Sequence, residues 1–502
     1  MARYKEYSYD QGKLIPITFH EQIVPETFEF ALNHIVDNVL DLSGFDNRFS
    51  NDETGAPAYD PRVMLKIVLY AYSRGIIHSR DILRCCAENV MFMALSADTQ
   101  PHFTTIADFI SSMHDEIVPL FRNILLYCSE EGLISREMFA IDGCKISSNC
   151  AREQSGTRKD FERRRKKLEY QVGFLLRKHR ECDQSLKGED IRKKERKTIN
   201  HLRSQVRKID RWLRDHDDKI GVHGIKSSNI TDNESAMMHS THGTVQGYNV
   251  GAAVDEKHQV IVHAEAFSEN TDTALLQPMI EGVRENFGQI GEKDVFSKAK
   301  VTADSGFHSE ANVRFLDDEG IDAYVADTQF RKRDPRFAQS PTYQKSLRKN
   351  YFTPSDFTYN ESDGTLICPA GNKLYVRTNN YVGVRGQRGI AYAGWKTKCR
   401  VCKIRKKCLR SDASEFRQVV IFQEPTKSFT KKMIKKFDSV FGQFIYSKRM
   451  GTVEPVFANI CSTLGLNRIT LRGREKADIQ WKLYSMVHNI FKIYRYGVSY
   501  AH

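Results

Sequence analysis

The sequence predicts a mixed α/β protein whose sheet-forming segments are separated by long insertions. Two observations predict this class: apolar β-type runs at 138–148 and 244–267 alternate with helical segments, and the first 136 residues are mostly helical in pattern. At roughly 150 residues per domain, 502 residues suggest about three domains. The predicted parts are a helical domain at 1–136, a core at 137–335 interrupted by a basic insertion at 151–225, a cysteine-rich module at 336–428, and helices at 429–502.

Short helices joined by tight turns are expected in the first domain. Pro61 and Gly75 stand where a helix tolerates proline at its start and favours glycine after its end. A second helix is expected to begin with Ser79 as its cap, and a third after Thr104 or Thr105. This spacing fits a helix-turn-helix DNA-binding domain and a small helical bundle equally well, because the motif has no strict sequence signature.

The segment 152–220 dominates the charge of the chain. The protein has 76 Lys and Arg against 63 Asp and Glu, a net charge of +13, and this segment alone contributes +10. Apolar residues recur in it at helical intervals, which predicts two antiparallel basic helices. Such a surface favours a polyanion, with nucleic acid as the leading partner. The alternative is a solvated coiled-coil arm that binds no nucleic acid.

The core is predicted to alternate strands and helices. A polar turn at 256–258 joins two apolar runs and predicts a β-hairpin. The predicted elements that follow are a helix at Thr271–Glu285, a strand at Ala299–Asp304, a helix at Ser309–Gly320 and a strand at Ile321–Val325.

Three acids are candidates for holding a catalytic metal. Asp142 and Asp304 lie in apolar strand contexts, where an unpaired charge is costly, although each alone also fits a turn or cap residue. Glu454 is expected in the first turn of a helix that continues along the apolar positions after it. Phosphodiester chemistry uses cations with hard oxygen ligands, which three carboxylates supply. Arg449, just before Glu454, could hold a phosphate.

Four of the 11 cysteines cluster in the cysteine-rich module. Cys399 and Cys402 form a Cys-x2-Cys knuckle, and Cys368 and Cys408 flank it. Four thiolates suit tetrahedral zinc, and the basic residues around them favour the thiolate form. Unligated thiols are the alternative, and a redox Cys-x2-Cys is disfavoured because the βαβ context of that motif is missing.

Membrane and secreted classes are not expected. No apolar run reaches the 18 or so residues that a membrane span needs. The first residues are polar and lack the apolar core of a signal peptide, so a cytoplasmic location, associated with the nucleoid, is expected.

Several of these segments resemble the DDE transposases of bacterial insertion sequences. The resemblance rests on the runs Phe139–Gly143, Gly247–Asp255, Ala303–His308 and Tyr446–Glu454, the last followed by Gly465–Gly473. In addition, Tyr59–Phe109 resembles the N-terminal helical domain of that family, and the cysteine-rich module resembles an insertion carried by its Tyr-Arg-Glu signature branch.

The resemblance implies a ribonuclease H-like mixed-sheet core with a zinc-ribbon-like insertion. It implies Asp142, Asp304 and Glu454 as a triad that binds Mg²⁺, with Mn²⁺ as an alternative, and Tyr446 and Arg449 as the signature before the Glu. The implied function is a transposase that binds terminal inverted repeats of double-stranded DNA, cuts at the element ends and joins them to target DNA. A homodimer or larger assembly is expected because two ends must be cut together.

Two departures from the family pattern concern the site. Ile460 and Cys461 stand where a Lys is usual, and Gly251 stands where a Gln is common. The missing Lys could be replaced by another basic residue, namely Arg468, Arg472 or Lys482. Two alternatives therefore stay open: a catalytically silent DNA-binding relative, and a nuclease that cuts without strand transfer.

Overall fold

The computed structural model divides the chain into two compact units. The first comprises residues 1–307, 318–323 and 445–502, and the second comprises 308–317 and 324–444. The structure describes residues 16–48, 57–182, 189–221, 224–240, 243–340, 351–383, 388–411, 413–422 and 429–498.

The N-terminal region of the first unit is helical, as predicted. The helix Pro61–Ser73 is capped by Asp60, whose side chain accepts a hydrogen bond from the backbone N–H of Arg62. Gly75 follows the helix with φ of +73°. Two predicted starts were off by one to three residues: Ser79 is the first helical residue rather than the cap, and the third helix starts at Phe103 rather than after Thr104 or Thr105. The helices are Phe19–Gln22, Phe28–Asn38, Pro61–Ser73, Ser79–Glu88, Val90–Ser96, Phe103–Ser111 and Ile117–Glu130.

A buried C-terminal helix, Arg474–Tyr496, joins this helical region to the sheet. Its Tyr484 stacks on Tyr72 with 4.6 Å between ring centroids, and its Trp481 donates a hydrogen bond of 2.8 Å to the carbonyl of Gly251 in the sheet. The helix is buried on nearly all sides although half of its residues are polar, and its buried Gln480, His488 and Asn489 are hydrogen-bonded. No helix in the described part of the chain is both long and apolar enough to cross a membrane.

The core of the first unit is a mixed sheet, as predicted. The central strand Met138–Ser147 runs parallel to Lys300–Ala303 and antiparallel to Gly243–Asp255. The long strand Gly243–Asp255 also pairs with Ile261–Phe267 and Ala236–Ser240, and Asp322–Val325 is the sixth strand of the sheet. The predicted hairpin and strands are therefore confirmed.

The helix after the hairpin differs from its prediction. It spans Leu276–Gln289 rather than Thr271–Glu285, and a short 3-10 turn, Asp272–Ala274, precedes it. The carboxylate of Asp272 accepts a hydrogen bond from the buried Asn249, which fixes this turn against the sheet and delays the helix. The following helix is Glu310–Asp318, inside the predicted range.

Two long antiparallel helices form a basic hairpin, as predicted. They span Arg158–Cys182 and Glu189–Asp215. Near the base of the hairpin Phe161 packs edge-on against Trp212, at 4.5 Å between ring centroids, and Arg165 pairs with Asp210 at 3.2 Å. The small core of this pair of helices therefore lies toward the base of the hairpin.

The second unit contains the cysteine-rich module. Its five strands form an antiparallel sheet with a core of Phe357, Leu366, Leu374, Tyr392 and Val419. The strands are Thr358–Asn360, Thr365–Ile367, Lys373–Val382, Arg388–Ala393 and Gln418–Phe422.

After the cysteine-rich module the chain is helical again, as the sequence predicted. The helices are Phe429–Phe437 and Val440–Ala458.

Candidate functional site

Two predicted acids meet on neighbouring strands of the sheet. The parallel register pairs Ile141 with Ala303, so Asp142 and Asp304, the next residue on each chain segment, lie side by side. Asp142 accepts a hydrogen bond of 2.8 Å from the N–H of Gly143, and Asp304 one of 2.6 Å from the N–H of Ser305. The backbone thus fixes the orientation of both carboxylates.

The helix Val440–Ala458 supplies two side chains to these acids. Arg449 is buried, and its Nη1 donates a hydrogen bond of 2.7 Å to Oδ2 of Asp142. One turn earlier, the hydroxyl of Tyr446 lies 3.4 Å from Oδ1 of Asp304 and donates to it. The three-residue spacing places both side chains on one helix face, so a single helix contacts both carboxylates.

Burial raises the pKa of Asp142 to about 6, against the attraction of Arg449, and the negative charge of Asp304 adds to the rise. The pKa of Tyr446 is raised to about 12, again mainly by burial, so this phenol stays protonated. Two ionised carboxylates would face the single guanidinium of Arg449, and their oxygens suit a hard divalent cation.

Glu454 lies on the same helix but is less involved. Its Oε1 is 3.8 Å from Nη2 of Arg449, and its side chain is half exposed. The prediction that it sits in the first turn of a helix was wrong, because the helix begins at Val440 and runs through Pro455. Proline cannot donate to the carbonyl of Gly451, and the side chain of Gln259 donates to that carbonyl instead, at 2.9 Å.

The acids do not form a ready metal-ligand set. Over the described ranges, no group of three or more His, Cys, Asp or Glu side chains is placed to hold a metal ion. The assignment of Asp142, Asp304 and Glu454 as one triad therefore stays a prediction.

The two departures from the family pattern have clear packing consequences. Cys461 is partly buried, and its thiol lies beside that of Cys144, two residues after Asp142 on the central strand. A side chain at Gly251 would clash, because an added Cβ would lie 2.7 Å from Sδ of Met279. Ile460 is buried, Cys461 is partly exposed, and a side chain at Gly251 would require that of Met279 to move.

The three basic residues suggested as replacements for the missing Lys differ in exposure. Lys482 is buried and ion-paired with Asp478, and Arg472 is exposed but donates to the carbonyl of Asn149 at 3.1 Å. Arg468 is exposed, and its backbone bridges to Ser147 at the end of the central strand. Exposure therefore favours Arg468 among the three, but its strand partner Ser147 lies five residues along the central strand from Asp142.

A hydrogen-bonded pair, the buried Asn249 and the partly buried Asp272, was missed by the sequence analysis. Asn249 donates a hydrogen bond of 2.7 Å to Asp272, and its own Oδ1 lacks a partner among the described residues. A Cβ on Gly143 would lie 3.0 Å from this Oδ1, and a Cβ on Gly306 would lie 2.6 Å from Oδ2 of Asp272. The pair therefore fills the space beside both acids. Gly143 and Gly306, which follow Asp142 and Asp304, were the sequence features that could have indicated this close packing.

Replacing Asp272 with Ala should lower the free energy of unfolding by about 1–3 kcal/mol, because the buried amide of Asn249 loses its acceptor. Urea denaturation of the full chain measures this change. The matched control is Asp115→Ala at a largely exposed carboxylate, which should leave stability unchanged. Equal stability of the two variants would show that the pair does not brace the site.

The four predicted cysteines of the second unit meet at one cavity. Cys368, Cys399, Cys402 and Cys408 all line this space of about 30 Å³. Cys368 accepts a hydrogen bond of 3.3 Å from the N–H of Asn372, in a tight turn closed by Gly371 with φ of +74°. Burial and the neighbouring thiols raise the pKa of Cys408. The four side chains converge, but they are not drawn close enough to share an ion.

Two segments of the chain match family models of transposases. Residues 367–494 match a family described as "Transposase DDE domain", and residues 18–112 match one described as "Transposase domain (DUF772)". The first match spans the four cysteines together with Tyr446, Arg449 and Glu454, and the second spans the N-terminal helices up to Ser111. No curated protein matches the chain. The two matches together support a DDE transposase, an enzyme of the polynucleotidyl-transferase or nuclease type.

Proposed function

We propose that this protein is an insertion-sequence transposase that binds terminal inverted repeats and performs metal-dependent DNA cleavage and strand transfer. One observation carries the proposal. Asp142 and Asp304 lie side by side on parallel strands and are contacted by Arg449 and Tyr446 from a segment that matches a transposase DDE domain.

Each of these residues has a role that follows from its contacts. Asp142 and Asp304 would hold Mg²⁺, or Mn²⁺ in its place, with Glu454 as the third ligand. When bound, the cation would activate the attacking hydroxyl and stabilise the leaving oxygen. Arg449 balances Asp142 and can orient a phosphate oxygen through its remaining N–H groups, and Tyr446 restrains Asp304.

DNA binding is assigned to the basic hairpin and the N-terminal helices. The exposed Lys and Arg side chains of the hairpin would contact phosphates, so affinity for duplex DNA should fall steeply as salt rises. The protein would act as a homodimer or larger assembly on two element ends, in the cytoplasm at the nucleoid.

The test is an assay of DNA cleavage and joining. The substrate is a DNA fragment carrying the sequences that flank the gene, incubated with the full chain and Mg²⁺ or Mn²⁺. Nicks at the repeat ends together with joined products support the proposal. Cleavage without joined products indicates a nuclease, and binding without cleavage indicates a silent relative.

The proposal also places a structural zinc ion at the four cysteines. The purified chain should then contain about one zinc per molecule by atomic absorption, because four thiolates that line one cavity can close around a tetrahedral ion. Cys402→Ser should lose most of the zinc, whereas Cys85→Ser, at a half-buried thiol outside the cluster, should keep it. A wild-type chain that is purified in the presence of zinc and carries none would refute this part of the proposal.

A further inference from the structure

One face of the first hairpin helix, Arg158–Cys182, combines basic and aromatic side chains. The residues of this basic-aromatic face recur three or four positions apart, which places them on one side of a helix. Their side chains are all exposed, and the two rings strongly so: Tyr170 is 69% and Phe174 is 53% exposed. The face consists of Arg163, Lys166, Lys167, Tyr170, Phe174, Arg177 and Lys178.

Among the residues of this helix whose side chains the structure describes, the acidic ones lie off this face or at its edge. Glu162 and Glu169 lie on other sides of the helix, where they pair with Arg158 at 3.8 Å and Arg165 at 3.7 Å. Asp160 reaches the edge of the face, 4.0 Å from Arg163. Among the ion pairs of the described residues, none involves Lys166, Lys167, Arg177 or Lys178. The face therefore presents net positive charge around the two rings.

Packing of the hairpin does not explain the exposed rings. Its small core, which includes Phe161, Leu168 and Trp212, lies on the opposite side of the helix. Tyr170 and Phe174 are not part of this core, and neighbouring exposed apolar side chains commonly mark a binding surface. The ring positions are four residues apart, about 6 Å along the helix axis, so they form two successive platforms.

A ligand that fits this face needs negative charge and exposed π surfaces at close spacing. Duplex DNA offers phosphates, but its bases are stacked inside, and lysines alone suffice to bind it. Single-stranded DNA offers both features, since its bases stack on aromatic side chains while its phosphates contact Lys and Arg.

We infer that the basic-aromatic face binds a single-stranded or unpaired DNA segment, with bases stacked on Tyr170 and Phe174 and phosphates held by the surrounding Lys and Arg. This inference rests on the proposed function, because cleavage at an element end is the step that would leave unpaired nucleotides near the protein.

The test compares a labelled 20-nucleotide oligothymidylate with a duplex of the same length, by fluorescence anisotropy with the full chain. Tyr170→Ala/Phe174→Ala should weaken binding of the single strand at least about tenfold, because stacking contributes strongly for each base. Affinity for the duplex should stay within about twofold, since the charges are unchanged.

Three matched variants separate stacking from charge and from general damage. Tyr170→Phe keeps the ring and should bind the single strand as wild type does. Tyr359→Ala removes an equally exposed ring from the strand Thr358–Asn360 and should also have no effect. Lys166→Gln/Lys167→Gln should weaken both ligands and flatten the salt dependence of both.

Unchanged single-strand affinity in the double aromatic variant would overturn the inference. So would a shift from a larger assembly to a monomer in sedimentation without any change in DNA affinity, because the face would then join two copies of the chain. Asp304→Asn should still bind the single strand. A wild-type chain that binds the strand through these rings but never cleaves DNA would refute the proposed function and leave this face as a DNA-binding surface.

Discussion

Asp304→Asn should abolish cleavage at the element ends while the protein still folds and binds DNA. The amide oxygen of Asn can accept the hydrogen bonds that Ser305 and Tyr446 donate to Asp304, so the local structure persists. The negative charge that would hold the cation is lost. Since a bound metal contributes several kcal/mol of transition-state stabilisation, the cleavage rate should fall by about 1,000-fold or more. Gel analysis of products with Mg²⁺ and with Mn²⁺ measures this loss.

Asp142→Asn should show a second effect that Asp304→Asn lacks. It should abolish cleavage and also lower the melting temperature, because the buried Arg449 loses its charged partner. Asp115→Asn is the matched control at an exposed carboxylate and should change neither property.

Wild-type cleavage by Asp304→Asn would show that the two acids at the parallel strands do not hold the catalytic metal.

Local patterns predicted much of this fold from the sequence. The basic hairpin was predictable because its apolar residues repeat at helical spacing, so each helix specifies its own buried side. The central strand was predictable because it begins with an apolar run, and Asp142 was noticeable as the acid that follows this run. Helix boundaries were less predictable where a side chain bonds elsewhere, as Asp272 does with Asn249.

The site itself depends on pairings that no local pattern encodes. Asp142 and Asp304 meet only because the register between two parallel strands aligns Ile141 with Ala303. These two strands are far apart in the sequence. The helix around Glu454 was misplaced because Pro455 normally ends a helix, and the side chain of Gln259 that compensates for it comes from a distant turn. Long-range partners of this kind can be seen only once the chain is folded.

Arg449→Met should be among the most destabilising single substitutions in the site. Arg449 and Asp142 form an ion pair in which both side chains are largely buried. Removing the cation leaves a buried carboxylate without compensation, which typically costs about 3–5 kcal/mol of unfolding free energy. Urea denaturation in EDTA at pH 8 measures the loss without any contribution from a bound metal. Arg84→Met, in the exposed pair with Asp81, should change stability by less than about 1 kcal/mol.

The pH dependence of this loss identifies its cause. Burial already raises the pKa of Asp142 from 3.8 to about 6, and loss of Arg449 should raise it further. A carboxyl group whose pKa is higher in the folded than in the unfolded protein takes up protons on folding, so its ionisation destabilises the fold as pH rises. The deficit of Arg449→Met relative to wild type should therefore be small at pH 5 and large at pH 8. An equal deficit at both pH values would indicate lost packing rather than an uncompensated charge.

A double variant separates the ion pair from its function. Asp142→Leu/Arg449→Met removes both charges and keeps apolar volume in the same space, so it should recover most of the stability that Arg449→Met loses. Cleavage should stay abolished in the double variant, because the carboxylate proposed to hold the cation is absent. Such recovery without activity would mean that the charged pair is needed for chemistry rather than for folding. A double variant as unstable as Arg449→Met would mean instead that the shape of the Arg449 side chain supports the helix Val440–Ala458.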